Sequence, residues 1–154
     1  MLAVPLKIFP KEWTTENFIK ILSTTNPSFV QSLIITFLVA AIAVVLSLAL
    51  NMMAAYVLAR LEFKGKKWLW RLCISTMYIP GITILISSFL VVNALGMLNT
   101  MAVLIFPGAV AGYTIFFFRQ FFLYTPMSLE EAALIDGAGR FKIFLYIFVP
   151  MAKA

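Results

Sequence analysis

The sequence predicts an all-α, polytopic membrane protein, with about three spans and a helix-turn-helix loop on the cytoplasmic side. Three observations carry that expectation. First, hydrophobic residues make up 63% of the 154-residue chain and charged residues 12%, against about 25% charged in an ordinary soluble domain. A chain this short has too little interior to hide that much apolar surface, so part of its solvent must be hydrocarbon. Second, the apolar residues fall in three stretches, about 30–59, 68–92 and 101–118, with the charges gathered in the loops between and after them. Third, the segment 119–154 is charged, carries helix-start signals and is broken by glycines, a pattern of water-facing helices.

Composition also removes whole classes. The net charge of +6 could suggest nucleic acid, but the basic residues form no single stripe and sit where they set membrane orientation. With no His and one Cys, zinc, haem and disulfide frameworks within the chain are excluded. Cys73 reads as a small buried hydrophobe. No catalytic residue, cofactor or metal is expected. The opening Met-Leu-Ala-Val-Pro-Leu-Lys lacks the charged, apolar, small order of a signal peptide, so insertion is expected to rest on the spans.

Residues 1–29 read as an outer-side interfacial segment. A helix starts after Trp13 at Thr14 or Thr15, with Glu16 in its first turn, an apolar side of Phe18, Ile19 and Leu22, and an end at Asn26-Pro27. The first span, 30–59, exceeds the roughly 20 residues a crossing needs. Thr36, Ala40, Ala43, Ser47, Asn51 and Ala55 recur on it at steps of three or four. That small and polar stripe suits either close helix packing or the lining of a solute path. Arg60, Lys64, Lys66, Lys67 and Arg71 face only Glu62 in the following loop, which marks its side as cytoplasmic.

The second span, 68–92, is interrupted at Pro80-Gly81. A mid-helix proline frees the carbonyl four residues back, on Thr76, and in a membrane that group must face protein, water or a ligand. Pro80, Thr83 and Ser87 are therefore candidates for a kink or for a path, with Ser88 beside them. Residues 93–100 form an uncharged turn suited to the outer side. The third span, 101–118, holds Pro107 and a Gly108-x-x-x-Gly112 pair that favours close helix contact. Three crossings with 60–71 inside place the N-terminus outside and 119–154 inside, where Arg119, Arg140, Lys142 and Lys153 agree.

In that last segment, Thr125-Pro126 has the form of an N-cap with proline in the first helical position. Ser128-Leu-Glu-Glu131 fits a capping box starting three residues later. Either start puts Glu130 and Glu131 in an early turn, where the helix dipole favours negative charge. Ala132 and Ala133 give a smooth face, Gly137 and Gly139 break the helix, and Asp136 and Arg140 flank the turn. Arg140 to Phe148 reads as a second helix that Pro150 ends.

Glu131-Ala132-Ala133, three residues, Gly137, nine residues, Ile147, one residue and Val149-Pro150 resembles the cytoplasmic signature of binding-protein-dependent ABC importer permeases. Val149 stands where that signature usually has Leu. Ile-Asp-Gly-Ala at 135–138 resembles the carbohydrate-uptake branch, similar to maltose-type and glycerol-phosphate-type permeases. Phe-Pro-x-x-Trp-Thr-x-Glu-Asn-Phe (9–18), Ala-Ala-Tyr-x-Leu-Ala-Arg (54–60) and Leu-Gly-Met-Leu-Asn-Thr (95–100) extend the likeness over nearly the whole chain.

The resemblance implies a multi-pass subunit of a bacterial-type cytoplasmic (inner) membrane. It pairs with a second permease subunit, rests on a cytoplasmic ABC ATPase dimer and receives sugars or oligosaccharides from an extracytoplasmic solute-binding protein. The loop 131–150 corresponds to the family's coupling helix. Glu131 would anchor the ATPase, with Ala132, Ala133, Gly137, Ile147 and Pro150 completing the docking element and Gly137 making its turn. Family members have about six crossings, so a chain offering three is expected to be an internal fragment or a truncated reading frame of a permease.

The rivals fare worse. No Gly-x-x-x-x-Gly-Lys-[Ser/Thr] loop is present, so ATP chemistry is expected on another chain. An ion-coupled secondary transporter commonly uses buried ionisable groups, and the spans hold no Asp, Glu or Lys near mid-depth. A structural membrane subunit or inert fragment would need no signature spacing. An embedded enzyme lacks histidines, paired carboxylates and a motif-placed nucleophile.

Overall fold

The computed structural model describes residues 14–23 and 28–152. Expectations falling on Trp13, Asn26-Pro27 and Lys153 lie outside the described residues. Backbone contacts divide the chain into two units, 1–38 and 39–154. Every element among the described residues is helical, joined by turns.

In the first unit, α1 (Glu16–Ser23) is amphipathic, and Phe18, Ile19 and Leu22 on its apolar side are all well exposed. The Thr14 hydroxyl oxygen accepts the Glu16 N–H at 3.2 Å. The Ser28 hydroxyl likewise accepts the Gln31 N–H at 3.1 Å, closing the start of α2.

Helix α2 runs from Phe29 to Arg60, 32 residues. At 1.5 Å per residue it is about 48 Å long, more than the hydrocarbon thickness of about 30 Å. It is the one helix among the described residues long and apolar enough, by length and composition, to cross a membrane.

The other two apolar stretches are each broken, the first of them at the Pro80-Gly81 pair where an interruption was expected. Residues 68–92 fall in α3 (Lys66–Thr76) and α4 (Leu85–Ala94), with turns between them; residues 101–118 fall in α5 (Ala102–Ile105) and the start of α6 (Gly112–Tyr124). Each interruption sits at a Pro-Gly pair, where proline supplies no N–H and glycine loses the most entropy on becoming helical. At Pro80 the outcome is a full break rather than a kink. The Thr76 carbonyl expected to be freed instead accepts the Ile79 N–H at 3.4 Å, and Thr83 N–H bonds the Pro80 carbonyl at 2.9 Å.

At the second break a side chain replaces the missing backbone partners. Asn51 of α2 is fully buried. Its amide N–H group donates to the Ala109 carbonyl at 3.0 Å and to Ser47 on its own helix, and its Oδ1 accepts the Ala111 N–H at 2.9 Å. With Ala55 also buried, this end of the small and polar stripe is a packing face.

Gly112 opens α6 against α3. A Cβ added there would lie 2.5 Å from the Thr76 hydroxyl and 2.7 Å from the Cys73 carbonyl, whereas Gly108 has open space around it. Only one member of the Gly-x-x-x-Gly pair is thus used for close approach. Gly112→Ala is expected to destabilise the protein by about 1–3 kcal/mol, because a backbone carbonyl must shift to admit the methyl group. Thermal unfolding in detergent checks this; an unchanged midpoint would show that α3 and α6 do not pack this closely.

The core lies where the second half of α2 meets α6 and the 140–151 segment. Tyr56 packs against Phe144 and Phe148 with ring centroids 5.3 and 5.0 Å away, and Phe122 meets Phe148 edge-on at 5.2 Å. Phe122, Ile143 and Phe148 are at most 1% exposed. Two arginines cross between the helix ends. Arg60 of α2 donates to the Phe122 carbonyl at 2.6 Å, and Arg119 of α6 donates to the Leu58 carbonyl at 3.1 Å. Each guanidinium bonds a carbonyl in its neighbour's last turn, where helix carbonyls lack their full set of intrahelical partners, so the C-terminal ends of α2 and α6 lie side by side.

Candidate docking site

The signature segment forms helix α7 (Met127–Ile135), a tight turn, α8 (Arg140–Ile143), a π-helical stretch (Phe144–Phe148) and a last turn, α9 (Val149–Met151). Neither expected N-terminal cap forms. Pro126 occupies the N-cap position of α7, and no side chain caps the helix. Thr125 is buried, and its hydroxyl turns back toward the Phe121 carbonyl at 3.5 Å. Ser128 already lies inside the helix. Packing of Thr125 onto α6 outweighs its capping preference.

The two glutamates separate by one helical step. Glu130 is only 4% exposed and meets Arg140 in an ion pair, with the Arg60 Nε 3.8 Å from its other carboxylate oxygen. Glu131 is exposed and makes no ion pair among the described residues. It shares a ridge, at spacing four, with Met127 and Ile135, which are 66% and 86% exposed. Ala132 is exposed beside them, while Ala133 packs against the core. The outward face of α7 is therefore apolar around one unpaired acid, and its inward face is held by charge and by a small side chain.

Gly137 makes the turn, with φ at 77° in the left-handed region open to glycine. Its N–H bonds the Leu134 carbonyl at 3.0 Å and the Ala138 N–H bonds the Ala133 carbonyl at 2.9 Å. These are the paired bonds of a Schellman motif, which satisfies the last carbonyls of α7 and reverses the chain in two residues. Gly139 is extended and starts α8.

The second helix does not stop where Pro150 was expected to end it. The helical path continues through Pro150 to Met151, after a π-helical stretch at Phe144–Phe148. Wider π turns relax the one-to-four bonding that proline cannot supply. Ile147 is half-buried against the core and Pro150 is exposed.

Of the expected docking residues, Glu131, Ala132, Gly137 and Pro150 thus face outward, whereas Ala133 and Ile147 seat the element on its base. The expected kink or path residues lie elsewhere. Pro80 and Thr83 are in the exposed turn between α3 and α4, and Ser87 lines a cavity of about 400 Å³ with Ser88, Val92, Phe106 and Pro107. Sequence reasoning missed Arg60 and the inward role of Glu130. The available signal was spacing: Glu130 stands three residues before core-facing Ala133, hence on the same side of the helix.

Residues 51–154 match the family described as "Binding-protein-dependent transport system inner membrane component". The chain is 36% identical over 146 residues to the "Probable ABC transporter permease protein YurM" of Bacillus subtilis, covering 93% of this chain and 47% of that protein. It is 37% identical over 149 residues to the melibiose/raffinose/stachyose import permease protein MelC of Bacillus subtilis, covering 95% and 53%. To the diacetylchitobiose uptake system permease protein NgcG of Streptomyces coelicolor it is 32% identical over 148 residues, covering 94% and 48%. The chain spans about half the length of these curated relatives. No solved structure matches it at a significant level.

Proposed function

The chain belongs to the family of binding-protein-dependent transport system inner membrane components, and from that premise we propose that it is the transmembrane permease portion of an ABC importer for sugars or oligosaccharides. In this reading residues 131–150 couple closure of a cytoplasmic ATPase dimer to solute passage. A second permease subunit completes the pore, an extracytoplasmic binding protein delivers the solute, and ATP is hydrolysed on the ATPase subunits.

The observation that carries this reading is the two-sided build of α7. Its outward ridge of Met127, Glu131 and Ile135 is what a helix seated in a partner's cleft would present, while its inward face is fixed to the end of α2. A stiff helix held in that way moves the spans it is joined to when the cleft changes shape, which is how a nucleotide-driven two-state change could reach the membrane. The names of the relatives MelC and NgcG both specify oligosaccharides, which favours the carbohydrate class.

In the proposed topology α2 crosses the bilayer, and the broken pairs α3–α4 and α5–α6 cross beside it, with the irregular backbone between α5 and α6 turned toward α2. Buried backbone of this kind is tolerated at depth where neighbouring groups bond it, as Asn51 does for the second break. The adjoining ends of α2 and α6 are consistent with the basic loop and the docking element sharing one face, and the basic excess at 60–71 makes that face cytoplasmic.

Reconstituting the transporter that contains this chain, with its ATPase and binding protein, tests the reading. Uptake should require ATP on the ATPase side and persist when ion gradients are collapsed. Uptake that followed an ion gradient without ATP would replace this function with secondary transport.

A further inference from the structure

We propose that Glu130, clamped between Arg60 and Arg140, is a positioning residue that locks the docking helix to the long membrane helix and so transmits the ATPase stroke. This rests on the docking reading above and concerns residues on the opposite side of α7 from the docking ridge.

Four elements meet at one buried guanidinium. The Arg60 side chain is only 7% exposed. It donates to the carbonyls of Phe122 and Thr125 at the end of α6, and its guanidinium carbon lies 5.1 Å from the Phe148 ring centre in the π-helical stretch. Its Nε faces Glu130 in the first turn of α7 at 3.8 Å. The other oxygen of Glu130 is taken by Arg140, the first residue of α8. The helix ends supply matching polarity, since the carbonyl end of α6 favours a cation and the first turn of α7 favours an anion. One carboxylate and one guanidinium thereby join α2, α6, α7 and the following helix.

A buried charge network is a poor device for stability, because apolar side chains of similar volume would do as well or better. Its distinguishing property is registry. A carboxylate with a side-chain exposure of 5% cannot leave its partners without remaining uncompensated in a medium that punishes lone charge. Rotation or tilt of α7 that slides Glu131 in a partner's cleft must therefore carry Glu130, and with it Arg60 and the end of α2. Adjacent glutamates on one turn divide the labour: Glu131 receives the displacement and Glu130 passes it on. Arg140, half exposed, is the hydrogen-bonded arm; the Arg60 Nε and the Glu130 oxygen facing it have no hydrogen-bond partner among the described residues and attract as charges alone.

The test uses the assembled transporter, with Glu130→Gln, Arg140→Gln and Glu130→Asp compared for ATPase co-purification and for solute moved per ATP hydrolysed. That ratio does not change when fewer molecules merely fold. Glu130→Gln should keep the ATPase bound while solute moved per ATP falls about tenfold, the size expected when a coupling network is broken. Arg140→Gln should also lower it, and Glu130→Asp should recover part of the loss. If Glu130→Gln does not accumulate, Arg140→Gln alone decides, because it removes only the exposed arm. Unchanged solute per ATP in the variants that assemble would overturn the clamp. So would release of the ATPase by Glu130→Gln, since Glu130 would then belong to the docking contact. Failure of the unmodified transporter to retain its ATPase would instead strike down the docking reading itself.

Discussion

Glu131→Lys in the assembled transporter is expected to release the ATPase while leaving the chain in the membrane. Glu131 is exposed and has no ion-pair partner among the described residues, so its reversal removes nothing that holds the fold together. Surface changes of that kind usually alter stability by less than about 0.5 kcal/mol. In a partner's cleft the same change replaces an attraction by a repulsion between desolvated charges, at a cost of about 2–5 kcal/mol. Association should weaken by about 30-fold or more. Co-purification of the ATPase measures the loss, and membrane fractionation checks that insertion survives. An ATPase that still co-purified with the lysine variant would remove Glu131 from the anchor role.

Asn51→Leu should be among the most destabilising single changes in the described residues. The substitution keeps roughly the same volume but strands the Ala109 carbonyl and the Ala111 N–H that Asn51 now satisfies. An orphaned buried backbone group costs about 1–3 kcal/mol, and more where no water reaches it. The pair should together cost about 2–5 kcal/mol, with the break between α5 and α6 loosening first. Denaturant unfolding in detergent reads the energy, and hydrogen exchange at the Ala111 amide reads the location. Wild-type exchange at Ala111 would mean that the break has another source of hydrogen bonds.

These expectations differ in how far the sequence foretold them. The outward position of Glu131 and the turn at Gly137 were legible because both follow from local rules: a fixed helical step, and a left-handed residue that only glycine adopts easily. The caps at Thr125 and Ser128 and the stop at Pro150 were misjudged for a shared reason. Each was argued from local preference, and each was overridden by packing, of Thr125 onto α6 and of Phe144 and Phe148 onto Tyr56. The interruption at Pro80-Gly81 was legible as a kink but not as a full break, because hydropathy sums over a window and does not register one missing N–H. The Pro-Gly pairs showed where a break could occur, but not that Asn51, 56 residues before Pro107, would bond the exposed backbone at the second one.

Composition and spacing by themselves determined that this chain belongs partly in hydrocarbon, that its charges gather between and after its apolar stretches, and that its signature segment folds as helix, turn, helix. Those properties depend on residue type and on near neighbours along the chain. That Glu130 turns inward onto Arg140 and Arg60 was decided only by the tertiary structure, as was the joining of α2 to that segment through Arg60. A guanidinium reaches 62 residues along the chain to the Phe122 carbonyl only after the two helix ends have been brought together, and no local rule encodes that meeting.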